Sequence, residues 1–304
     1  MPKISVVIPA FNRSLQLTRC LSSLKQQTFR DFEVIIADDG STDDLQLVVN
    51  QFLNSIDIVY LQLKHFGGPS RPRNEAIKVS RSKYIAFLDS DDYWHPDKLK
   101  YSYRFLEIGN DFVYHDMFLV NNGDQKKLFN KSLKFNSYRR IKNMNISKEL
   151  IINGNFIPNS SVVTTRELLN MISYFSEDRT LISVEDYDAW IRISQLPTRF
   201  YRISKCLGYI ESGLSDHISE MRNKRIVTNY QALIIKHNAL LKPYRTKSPT
   251  LYYCLSKAYY DQNQYRKALK GFLVVLANKP KFLYFCKSII YLIISIVKLV
   301  IISY

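Results

Sequence analysis

Glycine and proline are scarce in this chain, 9 and 10 among 304 residues, and cysteine is scarcer still, at four. Such a composition excludes a collagenous, repetitive or low-complexity chain. Cys20, Cys206, Cys254 and Cys286 are widely scattered, with no pair at metal-ligand spacing. Reduced, structural thiols and a cytosolic setting are therefore expected. The opening MPKISVVIPAF has too short an apolar part for a signal peptide, lacks a cleavage signature, and reads as a first strand. Negative charge is also in short supply: 27 Asp and Glu against 43 Lys and Arg leave a net +16, which favours an anionic partner. Nucleic acid, an acidic membrane surface and a phosphorylated small molecule all meet that description.

What is present is a rhythm. Ile4 to Ile8 is an apolar, β-branched run closed by Pro9, as in a strand buried on both faces. Leu15, Leu17, Cys20, Leu21 and Leu24 then recur at near-helical spacing. DFEVIIADDG is a second strand ending in acids, and TDDLQLVVNQFLN a second helix with Thr42 as its expected N-cap. IDIVYLQL gives a third strand, GGPSRPRNEAIKVSRS a loop entering a helix, and Lys83 to Leu88 a fourth strand. This alternation predicts an α/β domain with a largely parallel sheet, whose ligands bind beyond the carboxyl ends of the strands. Asp38 and Asp39 lie at one such end, and Asp89, Asp91 and Asp92 at another.

So many like charges at a strand end repel one another unless something positive joins them. Asp89 and Asp91 flank Ser90 and, facing one opening, share a hard divalent ion such as Mg²⁺ or Mn²⁺, which arrives with a diphosphate. Asp92 has a second reading as the cap of the helix opened by PDKL. Farther on, SVEDYDAWIRISQL reads as a helix with Glu185, Asp186 and Asp188 in its first turns, where negative charge suits the dipole. Asp188 reads as a cap or surface residue, Trp190 as core or a wall on the acceptor side, and His95, His115 and His237 as structural.

Three stretches, ISVVIPAFNRSLQLTRCLSSLKQQTFRDFEVIIADDGSTD, RPRNEAIKVSRSKYIAFLDSDDYWHPDKL and VEDYDAWIRI, occur in the order and spacing of the inverting glycosyltransferases of family 2. The chain resembles that family over roughly residues 3 to 215. The resemblance implies a GT-A fold, a Rossmann-like three-layer α/β/α arrangement with a mostly parallel mixed sheet. It also implies a UDP-sugar donor, Mn²⁺ or Mg²⁺, and a hydroxyl acceptor. Pro9, Ala10 and Phe11 look like a wall of the nucleotide pocket, Asp39 like the acid that meets uracil, and Asp38 like a support for its loop. Asp89, Ser90 and Asp91 look like the family's DxD element, with Asp89 on the ribose side and Asp91 on the metal. Arg71 and Arg73 would help position the donor, with Asp92 and Trp190 on the acceptor side. Asp186 looks like the general base, with Glu185 as its alternate or its orienting neighbour. One departure concerns YIESGLSDHIS: Ile210 takes an arginine's place, and His217 is displaced from where a histidine would meet the metal or diphosphate.

This reading divides the chain into a nucleotide-sugar half (1–100), an acceptor and base half (101–218) and a helical extension (219–304). In the extension, YYCLSKAYYDQNQYRKALKGFLVVLANKP has nearly the helix-turn-helix spacing of one tetratricopeptide repeat. The final LYFCKSIIYLIISIVKLVIISY is almost wholly apolar, interrupted by Lys287 and Lys298 about three turns apart on one face. That pattern predicts a helix at a membrane surface over residues 283–304; a core or oligomer contact and a true span are the other readings. The expected protein is then cytoplasmic and peripheral on the inner membrane face, acting on a glycan or lipid-linked acceptor in capsule, lipopolysaccharide or exopolysaccharide synthesis. A homo-oligomer stays open. Two rivals remain: a nucleotidyltransferase on the same fold, and a nucleic-acid binder. The second is disfavoured because no binding module appears and acids crowd the strand ends.

Overall fold

The computed structural model describes residues 1–121, 133–135, 145–212, 217–241, 249–278, 280 and 282–302. From the N-terminus the chain alternates β1 (Ile4–Ala10), α1 (Ser14–Lys25), β2 (Phe32–Asp38), α2 (Leu45–Asn50), β3 (Ile58–Gln62), α3 (Ser70–Val79) and β4 (Tyr84–Phe87). The short β5 (Tyr93–Trp94), α4 (Lys98–Glu107) and β6 (Phe112–Asn121) follow, then β7 (Leu133–Phe135), α5 (Ile146–Asn153), β8 (Val163–Thr165) and α6 (Arg166–Met171). Next come α7 (Glu185–Ile193), the long β9 (Phe200–Ser212), α8 (His217–Lys236) and α9 (Asn238–Leu241). The last helices are α10 (Pro249–Asp261), α11 (Tyr265–Ala277) and α12 (Phe282–Ile302). Two compact units interleave along the chain: Met1–Lys142, Ile157–Glu177 and Arg192–Leu214 form the first, and Asn143–Phe156, Asp178–Ile191 and Ser215–Tyr304 the second.

All the described strands belong to the first unit, in one mixed sheet ordered β3-β2-β1-β4-β8-β6-β9-β5, with β7 on β6. β3, β2, β1 and β4 run parallel, as does β9 beside β6. This is a Rossmann-like α/β core with most of its residue pairing parallel. Every residue of β1 and β2 is buried, which is why both read as continuous apolar runs. Leu17, Cys20, Leu21 and Leu24 of α1 recur at intervals of three and four and are all fully buried, joining the strands' inner side chains in the core.

Two caps differ from expectation. α2 begins after Asp44, and the Thr42 N–H and hydroxyl go to the Asn12 side chain at 2.8 and 3.3 Å. The residue capping α4 is Asp97, because β5 intervenes between Asp92 and the helix. Glu33 and Lys98 are ionisable side chains with no exposure at all. Glu33 of β2 accepts from Ser5 at 2.6 Å and from the Arg81 N–H and guanidinium at 2.8 and 2.6 Å. Burial pushes its pKa up, but those bonds outweigh it and hold the carboxyl below its ordinary range. Lys98 of α4 is fully buried, its ammonium 3.5 Å from the centre of the Trp94 ring and without a hydrogen-bond partner among the described residues. Burial drives its pKa well down.

In the second unit α10 and α11 form a helical hairpin at the repeat-like stretch, closed by Asn263 at φ +58°. Tyr253, Ala268, Phe272 and Val275 are its core, joined by Tyr284, Tyr291 and Leu292 from α12. Gly271 permits the close approach of α10: a Cβ there would stand 2.1 Å from the Ser256 hydroxyl. The opposite face of α12 is open and apolar, with Leu283, Ile290, Ile293, Val297 and Val300 all exposed. Lys287 and Lys298, also exposed, lie on one flank of that face.

Candidate active site

β2, β1 and β4 are adjacent and parallel, so their carboxyl ends share one edge of the sheet. Asp38 ends β2 and Asp39 follows it, Phe11 follows β1, and Asp89 to Asp92 follow β4. The first unit thus brings together the candidate residues Pro9, Ala10, Phe11, Asp38, Asp39, Arg73, Asp89, Ser90, Asp91 and Asp92.

The Asp39 N–H donates to the Ala10 carbonyl at 2.8 Å, tying the first two strand ends. Asp38 is buried; its carboxylate accepts from the Ser41 N–H at 2.8 Å and the Tyr60 hydroxyl at 2.5 Å. Burial, then the Asp38 charge, raises the Tyr60 pKa. Asp39, also buried, accepts from the backbone N–H groups of Phe66 and Gly67 at 2.8 and 2.9 Å, one on each oxygen. The His65 ring stands 3.2 Å from the same carboxylate and stacks on Phe11 at 4.4 Å. Gly40 holds the turn at φ +77°, where a Cβ would meet the His65 backbone nitrogen at 3.0 Å. Fixed backbone donors on both acids set the loop before any ligand arrives, and a carboxylate with two such bonds still has lone pairs to offer.

The acids after β4 find arginines. Asp89 accepts from Arg73 at 2.7 Å and from the Asn159 amide at 2.9 Å. Asp91 pairs with Arg13 at 3.3 Å, and its carbonyl accepts from Arg19 at 2.8 Å. Arg73 is buried under the Phe175 ring, whereas Arg71 is exposed over Phe66. Asp92 is buried and accepts from the Ser160 hydroxyl. Burial first, then Asp91 and Asp89, raise its pKa well above the carboxylate range. The positive partners of this cluster are therefore in part the protein's own. Sequence reasoning missed Arg13, Arg19, Asn159 and Ser160: the first two lie on the helix side of the first strand-helix turn, and the other two on a short turn that the later β8 carries beside β4.

Among the described residues, no three His, Cys, Asp or Glu side chains converge as a metal cage. Asp89 and Asp91 keep side-chain exposures of 31% and 34%, however, and both are hard oxygen donors. Mg²⁺ and Mn²⁺ in nucleotide sites take one or two carboxylates and complete their shell with water and substrate phosphates. The residues fit such an ion on those terms. His217 opens α8, and its side chain lies outside the described residues.

The other candidates sit in the second unit, on the first turns of α7. Asp186 is partly exposed, and its carboxylate accepts from the Asn155 amide at 3.1 Å. Glu185 is 5% exposed. Trp190 is fully buried and presents no face to a ligand, so the acceptor-wall reading gives way to the core one. Asp188 is likewise fully buried, not a cap or surface residue: the His237 ring reaches it at 2.8 Å and Lys236 at 2.9 Å.

Against this geometry, the sequence profile of the family described as "Glycosyl transferase family 2" matches residues 5–170, more than half of the chain. Over 110 residues the chain is 37% identical to the poly(ribitol-phosphate) β-N-acetylglucosaminyltransferase TarS of Staphylococcus aureus; the match takes in 35% of this chain and only 19% of TarS. It is 27% identical over 256 residues to the Escherichia coli UDP-Glc:α-D-GlcNAc-diphosphoundecaprenol β-1,3-glucosyltransferase WfaP, taking in 84% of this chain and 92% of that one. In fold it is similar to S. aureus TarS 1–349 in complex with UDP-GlcNAc, with TM-score 0.65 and 21% identity over 91% and 82% of the two chains. It is also similar to a Pyrobaculum calidifontis mannosyltransferase in complex with GDP-Man and Mn²⁺, with TM-score 0.59 and 16% identity over 98% and 86%.

Proposed function

The chain belongs to glycosyl transferase family 2, and from that membership we propose that it moves a hexose from a UDP-sugar to a hydroxyl of a glycan or lipid-linked acceptor in surface-polysaccharide synthesis. The observation that carries this reading is the shared edge of β2, β1 and β4, where two acid clusters and their arginines meet. The name of WfaP, which prints UDP-Glc, and the UDP-GlcNAc in the TarS complex support a UDP-sugar donor.

Asp39 accepts from the uracil ring beside Phe11, on a loop already held by backbone bonds. Arg73 and Arg13 offer charge to the diphosphate. Asp186 takes the proton of the acceptor hydroxyl as its oxygen forms the new bond to the anomeric carbon. The bond from that carbon to the diphosphate oxygen breaks, UDP leaves, and the single displacement inverts the centre. Asn155 fixes one oxygen of Asp186, and the more exposed of the two acids is the better base, with Glu185 behind it. Asp89 and Asp91, with His217 as a further candidate, would hold a divalent ion, which would supply positive charge against the leaving diphosphate.

The tail supports a place on the cytoplasmic face of the membrane. Residues 219–304 carry 15 Lys and Arg against Glu220 and Asp261, so 13 of the chain's 16 net positive charges lie there. α12 is long and apolar enough to cross a membrane, yet its lysines flank the exposed apolar face as an interfacial helix requires. A lipid-linked acceptor follows from that position.

The test is a binding screen of UDP-, GDP-, CMP- and dTDP-sugars with Mn²⁺, Mg²⁺ or EDTA, on wild type and Asp91→Asn. Metal-dependent binding of one UDP-sugar, at least tenfold weaker in the variant, is expected. Binding of none of them by folded protein overturns the reading, and release of pyrophosphate in place of UDP transfers it to the nucleotidyltransferase.

A further inference from the structure

A cleft of about 330 Å³ runs along α1 in the first unit, from Arg19 to Gln26, against Tyr93 and Trp94 of β5, Phe118 of β6 and Tyr209 of β9. It contains none of the strand-end acids. We infer that it binds one uncharged pyranose unit of a saccharide, at a place separate from the donor pocket. That saccharides are this chain's substrates rests on the family-2 reading; the cleft's chemistry does not.

Three rings line it in a row. Tyr93 and Tyr209 stack at 4.7 Å and 11°, and Tyr209 and Phe118 at 5.6 Å and 22°. They are cross-strand neighbours, Tyr93 opposite Tyr209 and Tyr209 opposite Phe118, so sheet register holds the row in place without a ligand. The Tyr93 and Tyr209 phenols and the Gln26 amide have no hydrogen-bond partner among the described residues. Groups that both donate and accept, set around apolar walls, suit a polyol whose ring has C–H faces and a hydroxyl rim.

Charge narrows the ligand further. Arg19 is the one Lys or Arg side chain lining the cleft among the described residues, and Glu211 takes it at two points, through Nη1 at 2.7 Å and through Nη2. A pair already matched leaves little pull for a phosphate, so a neutral ligand fits better than an anion. The volume is at the small end of small-molecule sites, the scale of one sugar ring. Arg19 also lies over the Tyr93 ring at 4.7 Å and donates to the Asp91 carbonyl. A sugar whose hydroxyls meet the Tyr93 phenol at the ring edge is thus close to Arg19 and, through it, to the acid loop, a position suited to a unit of the growing or accepting glycan.

Trp94 lines the cleft and is one of two tryptophans in the chain, so intrinsic fluorescence reports on it. The experiment titrates methyl β-D-glucopyranoside and methyl N-acetyl-β-D-glucosaminide into the full chain, with and without saturating UDP, alongside saturation-transfer NMR. One of the two binds with a Kd of about millimolar, as expected of a single ring, and UDP leaves that value unchanged. Tyr209→Phe, which keeps the stack, and Gln26→Ala, on an exposed position, each weaken it about fivefold. No binding at tens of millimolar, binding untouched by both variants, or binding displaced by UDP overturns the inference. UDP affinity in the same samples separates the two readings: UDP bound without sugar sinks only the cleft, and sugar bound without UDP sinks only the donor site.

Discussion

Replacing Lys98 by methionine should make the first unit more stable, because the wild-type side chain brings an ammonium group that no acid among the described residues pairs with. Lys98 is fully buried, and Trp94, Ser102 and His115 lie in the same part of the core. The ring offers a cation–π contact worth about 2 kcal/mol when desolvated. The unfolded chain carries a charged lysine with pKa about 10.4, so at pH 7 folding need never cost more on this account than discharging it, about 5 kcal/mol. Methionine keeps the unbranched stem, fills nearly the same space and gains a sulfur–ring contact of about 1 kcal/mol. The net expectation is a gain of about 2–3 kcal/mol at pH 7. The pH dependence has a definite sign. The folded pKa is depressed, so the folded chain binds fewer protons than the unfolded one, and wild-type stability rises with pH up to the unfolded value near 10.4. The variant lacks that rise, so its advantage should shrink as pH approaches 10. Urea unfolding followed by near-UV dichroism at pH 7, 8.5 and 10 measures it. A variant less stable than wild type at pH 7, or an advantage constant across that range, would refute the reasoning.

Asn155→Ala should lower kcat about tenfold with little change in KM for the sugar nucleotide, since it frees a base rather than a donor contact; an unchanged kcat counts against Asp186 as base. Glu33→Gln should cost about 2 kcal/mol at neutral pH by unpairing Arg81 and Ser5. Because the folded Glu33 pKa is depressed, its contribution exists above the unfolded value near 4.3 and disappears as pH falls through the folded one, so the wild-type and variant curves should converge in acid. Ile290→Gln, Ile293→Gln and Val297→Gln together should lower partitioning onto anionic vesicles at least a hundredfold, each losing about 1.5 kcal/mol or more of apolar burial. Sedimentation equal to wild type means that this face meets protein or nothing.

The sequence was most legible where burial is complete. Runs such as ISVVIP and FEVIIAD carry their strands in the residues themselves, and the spacing of Leu17, Cys20, Leu21 and Leu24 gave α1 its inward face. The strand-end acids were visible for the same reason: charge after a buried run has few structural uses. Their partners were not. Arg13 and Asn159 lie about 70 residues or more from the acids they meet, and only the insertion of β8 between β4 and β6 brings the second within reach. Asp188 misled because its helix is buried on more sides than its polar sequence suggests, with His237 and Lys236 supplied from far along the chain. The two units interleave along the chain, and chain order carries no record of which segments return.

The arginine pairs on Asp89 and Asp91 have a consequence for how this protein exists without a ligand. In a zinc finger, metal loading and folding are one equilibrium, and a chelator unfolds the domain. Here Asp89 and Asp91 are already met in part by Arg73 and Arg13, and the loop beneath Asp39 is closed by backbone groups. Folding should therefore not depend on a divalent ion. A chain made where divalent ions are scarce should reach the same fold, wait in it through chelation, and take up its ligands without a refolding step.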